Sequence, residues 1–255
     1  GCLNVWKSSN GGSSFTKLNN WSTTTGAMGT RYTHADIHLL RSFNGDIFCG
    51  SDGGFYRSSD AGGTFQDLTD GLAIGQFYRL AVSPQTSANM VGGLQDNGGY
   101  AYSSSSWKVY YGADGMDTAV SNTNSNLFYG FIQSGGNMYI SNDGGNSITS
   151  SVGGPEGGNW VTPLIMDTSG NLYAGYTRVY RLVGTSFNAV TTTAFGSNID
   201  YLEVDPINVN NMYAVIDTQL HKSTDAGVTF NSIATFGTNI TSVSVHRTNS
   251  NIIYV

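Results

Sequence analysis

The sequence predicts an all-β protein built from small antiparallel sheets, and three observations support this fold class. The first is composition: 34 of the 255 residues are glycine and 15 are tyrosine, whereas only 11% are charged. Glycine, serine and asparagine favour turns, while tyrosine and phenylalanine favour strands. The second is a short turn motif that recurs along the chain, and the third is the regular spacing of apolar segments between its copies.

The charge and hydropathy of the chain exclude two classes of interaction. The net charge is −6, and the 11 lysines and arginines are scattered singly. Binding to nucleic acid requires a basic stripe that neutralises phosphates, so we expect no nucleic-acid partner. No apolar run approaches the roughly 18 residues that a membrane-spanning helix needs, so we expect no membrane insertion.

The two cysteines, Cys2 and Cys49, are too few for a disulfide scaffold and lack the Cys-x-x-Cys spacing of metal sites. Each lies in a segment that the sequence predicts as a strand. They are therefore either buried free thiols or one disulfide, and a disulfide would require an oxidising compartment.

The recurring motif fits the pattern Ser-x-Asp-x-Gly-x-Thr-Phe. Residues 58–65 read Ser-Ser-Asp-Ala-Gly-Gly-Thr-Phe, and residues 223–230 read Ser-Thr-Asp-Ala-Gly-Val-Thr-Phe. Two variants occupy residues 8–15, where asparagine replaces the aspartate, and residues 141–148, where isoleucine replaces the aromatic residue. The aspartate accepts hydrogen bonds from its own turn, and the glycine tolerates a positive φ. We therefore expect a structural role for the central residue of each motif: Asn10, Asp60, Asp143 and Asp225.

The spacing of the motifs predicts a β-propeller. They begin at residues 8, 58, 141 and 223, so the gaps are 50, 83 and 82 residues. The two long gaps each equal two periods of about 41 residues, which is typical of a propeller blade of four strands. The sequence predicts complete blades over roughly 34–69, 76–111, 116–150, 159–191 and 198–234.

The terminal segments are expected to supply two strands each, residues 3–18 the outer pair and residues 241–255 the inner pair of a blade. Two arrangements fit: a six-bladed ring closed by a split blade, or an excerpt of a seven- or eight-bladed ring. In both, residues 1–255 form a single propeller domain, which we expect to be part of a larger multidomain chain.

Polar and aromatic side chains are expected to gather on the propeller face opposite the turn motifs. In antiparallel blades, the loops between the second and third strands and those between successive blades emerge together on that face. The candidate ligand-binding residues there are His34, Asp36, His38, Asp52, Gln95, Asp96, Asn97, Asp114 and Trp160.

The segment His34-Ala-Asp-Ile-His38 has hydrophilic residues at alternate positions, which would all point to one side of a strand. Such a triple is suited to binding a divalent metal ion, and this is the only cofactor that the sequence suggests; none is required. Alternatively, His34, Asp36 and His38 form hydrogen bonds that orient loops such as those of Asp52 and Asp114.

The motif of residues 58–65 is the Asp-box, or BNR repeat, and a series of segments extends the resemblance over nearly the whole chain. These are residues 33–38, 50–58, 77–84, 92–98, 112–115 and 160–163. Together they resemble the sortilin-type, BNR-repeat proteins of bacterial secretomes, some of which are glycosyl hydrolase-like. The resemblance implies a secreted or cell-surface protein, of the kind found in Bacteroidota, that works beside other domains such as adhesion modules.

Two main functions fit these expectations. The first, which we favour on sequence, is a recognition or adhesion module that binds a glycan or a protein without catalysis, since tyrosine, asparagine and tryptophan suit such a surface; a purely structural module is a variant of this. The alternative is a glycoside hydrolase, which needs a pair of carboxyl groups, with Asp52, Asp96 and Asp114 as catalytic candidates. A sialidase is disfavoured, because the chain has only two glutamates and no arginine cluster.

Overall fold

The computed structural model describes residues 2–22 and 31–255. Apart from single 3-10 turns such as residues 133–135, the regular elements in these ranges are β-strands. The chain divides into two compact units, Gly1–Ile74 and Gly75–Val255. Among the described residues no helix is long and apolar enough to cross a membrane.

The first unit contains a two-stranded and a four-stranded antiparallel sheet. The two-stranded sheet pairs β1 (Trp6–Lys7) with β2 (Thr16–Lys17). The four-stranded sheet comprises β3 (Ile37–Phe43), β4 (Asp46–Ser51), β5 (Gly54–Ser58) and β6 (Gln66–Asp67), in that order. Its core is a cluster of five buried residues: Val5, Ile37, Cys49, Tyr56 and Phe65.

The second unit contains four four-stranded antiparallel sheets, each with its strands in chain order, and one strand pair. The first two sheets are β7 (Phe77–Val82), β8 (Met90–Leu94), β9 (Gly98–Ser103) and β10 (Ser106–Tyr111), then β11 (Gly115–Val120), β12 (Phe128–Ile132), β13 (Asn137–Ser141) and β14 (Ser150–Gly153). The next two are β15 (Leu164–Met166), β16 (Leu172–Gly175), β17 (Val179–Val183) and β18 (Ser186–Ala189), then β19 (Tyr201–Val204), β20 (Met212–Ile216), β21 (Gln219–Ser223) and β22 (Asn231–Thr235). The strand pair is β23 (Ser244–Val245) with β24 (Ile253–Tyr254).

The predicted fold class is confirmed: the chain is all-β, with four-stranded antiparallel sheets of the propeller-blade type. The five complete sheets span residues 37–67, 77–111, 115–153, 164–189 and 201–235, close to the predicted boundaries. The terminal segments form one strand pair each, as expected.

The sheets of the second unit pack face to face through aromatic and aliphatic side chains. Their first strands, β7, β11, β15 and β19, follow one another as neighbours. Phe131 of the second sheet stacks on Phe187 of the third, with ring centroids 5.8 Å apart. Met116 and Met138 lie fully buried in the same cluster. The four sheets of the second unit therefore follow one another in chain order, with the first strand of each beside the first strand of the next.

The cysteines of the first unit are both free thiols. Cys49 is fully buried on β4, as predicted, whereas Cys2 is exposed at an isolated bridge with Ile37. The expectation that both thiols are buried is therefore wrong for Cys2.

Candidate functional site

The turn motifs form closely similar hydrogen-bonded turns. In the second copy, Thr64 donates from its backbone N–H to Asp60 Oδ1 and from its hydroxyl to Asp60 Oδ2, each at 2.8 Å. Ser58 donates to Oδ1 of the same carboxylate at 2.8 Å. Asp143 and Asp225 accept equivalent bonds from Ser147 and Thr229. Each of these three carboxylates thus accepts hydrogen bonds from residues of its own turn.

These hydrogen bonds stabilise the ionised carboxylates, and they lower the pKa of Asp60, Asp143 and Asp225 to about 2 each. A folded-state pKa below the unfolded value means that the contribution to stability is complete above the unfolded pKa. It is lost as the pH falls through the folded pKa. We therefore predict that the free energy of unfolding decreases between about pH 4 and pH 2.

The substitution Asp225→Asn tests this acid dependence. The first motif shows that an amide fits the turn, since Asn10 Oδ1 accepts the N–H of Ser14 at 2.9 Å and its Nδ2 donates to the Ser14 hydroxyl at 2.8 Å. Urea unfolding of Asp225→Asn should show a smaller loss of stability between pH 4 and pH 2 than the parent chain. Asp70→Asn is the control, because Asp70 is exposed and accepts no hydrogen bond within the described residues. Equal acid dependence in all three proteins would contradict the prediction.

Asp52 lies at the tip of a two-residue turn between β4 and β5 in the first unit. Its carboxylate Oδ1 lies 2.6 Å from Nε2 of His38. The exposed fraction of the Asp52 side chain is 31%. The backbone N–H of Asp52 donates to the carbonyl of Asp36 at 3.3 Å. The turn therefore fixes a carboxylate that still faces solvent.

Close packing on both sides holds the Asp52 turn in place. A methyl group at Gly53 would overlap the imidazole of His34, and one at Gly54 would overlap the hydroxyl of Thr69. The same hydroxyl accepts the backbone N–H of Phe55 at 3.1 Å. Only glycine allows His34 and Thr69 to approach the turn this closely.

The predicted strand over residues 34–38 is wrong at its start. Strand β3 begins at Ile37, and Asp36 has a φ of 57°, in the left-handed region. This conformation interrupts the pleat that would align His34, Asp36 and His38 on one side. In the described ranges, no three His, Cys, Asp or Glu side chains are grouped to hold a metal ion. The side chain of His38 pairs with the carboxylate of Asp52.

The structure brings together the candidates Asp96 and Asp114 in the second unit. Asp114 Oδ1 accepts the backbone N–H of Asp96 at 2.8 Å, and Asp96 has a φ of 59° in the turn between β8 and β9. Asn97 Nδ2 donates to the carbonyl of Gln95 at 3.0 Å. The Asp114 carboxylate therefore holds this turn, and all four residues are partly buried.

Trp160 precedes β15 and is 51% exposed. Its Nε1 donates to the Tyr78 hydroxyl on β7 at 3.1 Å, so one edge of the indole is anchored within the second unit. The rest of the ring remains open to solvent, which suits a contact with a ligand.

One partly buried carboxyl group with a raised pKa, that of Asp117, was not singled out by the sequence analysis. Asp117 lies on β11 and lines a cavity of about 40 Å³ with Arg79, Asp200 and Tyr201. Burial raises the pKa of Asp117 to about 6. Both of its oxygens accept backbone N–H groups, Oδ1 from Thr118 at 2.8 Å and Oδ2 from Leu164 at 3.0 Å. The signal in the sequence was a lone carboxylate in an otherwise apolar strand.

Comparison with known proteins identifies the fold. No protein-family profile and no curated protein matches the sequence. Among solved structures, the chain is similar to an ancestral GH74 enzyme, with 14% identity, a TM-score of 0.51, and coverage of 78% of this chain and 31% of that one. It is also similar to the GH74 xyloglucanase from Xanthomonas campestris, with 14% identity, a TM-score of 0.55, and coverage of 86% and 43%.

These similar structures correct the function favoured on sequence. Both are GH74 enzymes, which are β-propeller glycoside hydrolases, whereas a recognition or adhesion module without catalysis was expected. At this identity the likeness shows the fold alone, and the chain spans less than half the length of each of these enzymes. The fold is that of a β-propeller of the kind used by glycoside hydrolases.

Proposed function

We propose that this chain is a glycoside hydrolase module in which Asp52 is a catalytic carboxylate. One observation carries the proposal: Asp52 is fixed by His38 at 2.6 Å yet accepts no backbone hydrogen bond within the described residues. The carboxylates of Asp114 and Asp117 differ, because both accept backbone N–H groups. A carboxylate that is held in place, but whose oxygens accept no backbone hydrogen bond, is suited to react with a substrate.

In the proposed reaction, the side chain of Asp52 acts as the base that removes a proton from a water molecule as that water attacks the anomeric carbon. The bond between this carbon and the glycosidic oxygen breaks, and a second carboxyl group protonates the departing oxygen, as in glycoside hydrolysis generally. The imidazole of His38 donates to Asp52 Oδ1 and keeps the other oxygen available. His38 is therefore a positioning residue in this proposal.

The proposed substrate is a neutral polysaccharide. The net charge of −6 opposes the approach of an anionic polymer. The similar structure from Xanthomonas campestris is a xyloglucanase, and xyloglucan is a neutral glucan. Soluble β-glucans, with xyloglucan first, are therefore the substrates to test.

The location of the protein and its relation to Asp-box proteins belong to the same proposal. Polysaccharides such as xyloglucan are too large to enter a cell intact, so we propose a secreted or cell-surface protein. The hydrogen-bonded turns at Asn10, Asp60, Asp143 and Asp225 support an Asp-box, or BNR, propeller of the sortilin type. Further domains of a longer polypeptide are the partners we propose.

The test is the release of reducing ends from xyloglucan and mixed-linkage β-glucan by the parent chain and by Asp52→Asn. We expect the substitution to lower the rate by about 10²–10⁴-fold, the range for removing a positioned acid–base group. The control is Asp60→Asn, which makes the same chemical change in a turn motif and should leave the rate unchanged.

Two outcomes would overturn the proposal. One is an Asp52→Asn protein that keeps the activity of the parent chain. The other is a folded parent chain that releases no reducing ends from any of these glucans.

A further inference from the structure

A groove of about 330 Å³ lies between the third and fourth four-stranded sheets of the second unit, and its lining includes none of the candidate ligand-binding residues. One wall is the segment that follows β18, residues 191–195. The other wall is formed by β21, the end of the last turn motif and the start of β22. A groove of this volume falls in the range of small-molecule sites.

Hydrogen bonds between the two walls fix the shape of the groove. The Thr191 hydroxyl donates to the carbonyl of Gly227 at 2.9 Å, and the N–H of Thr192 donates to the carbonyl of Val228 at 3.0 Å. The N–H of Phe195 donates to the carbonyl of Thr177 at 2.8 Å. The groove is therefore formed before any ligand binds, which reduces the entropy lost on binding.

The floor of the groove is aromatic. Phe195 lies at its centre, with the ring of His221 at 5.3 Å and that of Phe230 at 5.4 Å, both meeting it edge to face. All three side chains are only partly buried. Aromatic faces of this kind pack against the C–H face of a sugar ring.

The rim of the groove is polar but uncharged. Thr193, Asn231 and Ser232 are exposed, and their side chains form no hydrogen bond within the described residues. The imidazole nitrogens of His221 also have no such partner there, and burial lowers the pKa of this side chain, which favours the neutral ring. None of the lining residues is Lys, Arg, Asp or Glu. The groove thus offers donors and acceptors without a charge.

We propose that this groove is a second carbohydrate-binding site, which holds a neutral oligosaccharide segment without cleaving it. An apolar floor beneath a rim of hydroxyl, amide and imidazole groups matches a sugar, which has an apolar face and hydroxyl groups at its edge. The absence of charge in the lining selects neutral glycans over uronic acids. The site does not depend on catalysis by Asp52, because all of its residues belong to the second unit.

Isothermal titration calorimetry with cellohexaose tests this site, and Asp52→Asn protein is used so that the probe is not hydrolysed. In that background, His221→Phe keeps the ring against Phe195 but removes both nitrogens, and Asn231→Ala removes an exposed amide. We expect the double variant to bind cellohexaose about tenfold more weakly. Asn188→Ala is the control, because Asn188 is an exposed amide on β18 that does not line the groove. A hexamer of galacturonic acid should bind more weakly than cellohexaose.

The proposal fails if cellohexaose gives no binding heat, if the double variant binds it as tightly as the control, or if the acidic hexamer binds more tightly. Each of these results is independent of the rate of hydrolysis. If the parent chain shows no hydrolytic activity and the double variant still binds cellohexaose more weakly than the control, the groove is supported while the role of Asp52 is rejected.

Discussion

Gly93→Ala is expected to destabilise the second unit by more than about 4 kcal/mol. Gly93 lies on β8, and a methyl group there would overlap the backbone of Gly115 and Met116 on the neighbouring strand β11. A flexible side chain can move away from such a clash, but paired backbone cannot move without breaking the strand interactions of two sheets. The measurement is urea unfolding followed by tryptophan fluorescence, to which Trp107 and Trp160 of the second unit contribute.

Gly112→Ala is the matched control for this prediction. Gly112 is exposed, and nothing lies within 4 Å of a methyl group added there. Its free energy of unfolding should remain within about 1 kcal/mol of that of the parent chain, because exposed sites without special contacts tolerate substitution. If Gly93→Ala is as stable as Gly112→Ala, the close approach of β8 and β11 is incorrect.

The second large effect is expected from His38→Leu, which should lower kcat about 10²-fold and leave KM nearly unchanged. The imidazole fixes Asp52 at 2.6 Å, and a small displacement of a reacting carboxylate costs a rate factor of this order. Because His38 does not itself bind substrate in this account, ground-state binding should not change. Initial rates over a range of xyloglucan concentrations measure both parameters.

The variant His38→Gln distinguishes the loss of Asp52 positioning from a general disturbance of the fold. The glutamine amide can donate a hydrogen bond to Asp52 Oδ1, as the imidazole does, whereas leucine cannot. We expect His38→Gln to recover a large part of kcat. Equal losses of kcat in the two variants, or a loss that appears in KM alone, would show that His38 does not position the carboxylate.

The fold could be predicted from the sequence because its signals are local. The turn at Asp60 is specified by residues within four positions of the aspartate, and the copies at Asp143 and Asp225 repeat it. The spacing of these turns then predicted where the strands between them lie. The glycine pair on β8 was also a local signal of a close backbone approach, since glycine inside a strand often marks one.

The candidate site could be predicted only in part, because its geometry depends on contacts between distant segments. Asp52 was a candidate from its Gly-rich turn, and His38 was a candidate from its alternating pattern, but their pairing joins two strands. The metal hypothesis failed because the left-handed conformation of Asp36 is not visible in a pattern of alternating residues. Asp117 was missed because its surroundings come from distant segments: its Oδ2 accepts the backbone N–H of Leu164, 47 residues away.

The groove of the second unit could not be predicted from the sequence for the same reason. Its walls, residues 191–195 and 228–232, are more than 30 residues apart in the chain and meet through the bond between Thr192 and Val228. Neither segment alone has a motif that indicates a ligand. Tertiary structure was therefore needed to recognise the groove.

Whether Asp52 faces the bond that is cleaved would be seen in a crystal structure of the Asp52→Asn protein with a bound xyloglucan oligosaccharide. We expect a glycosidic linkage within hydrogen-bond reach of the side chain at position 52, directly or through one water molecule. An oligosaccharide that binds elsewhere, with position 52 contacting only solvent, would contradict this expectation.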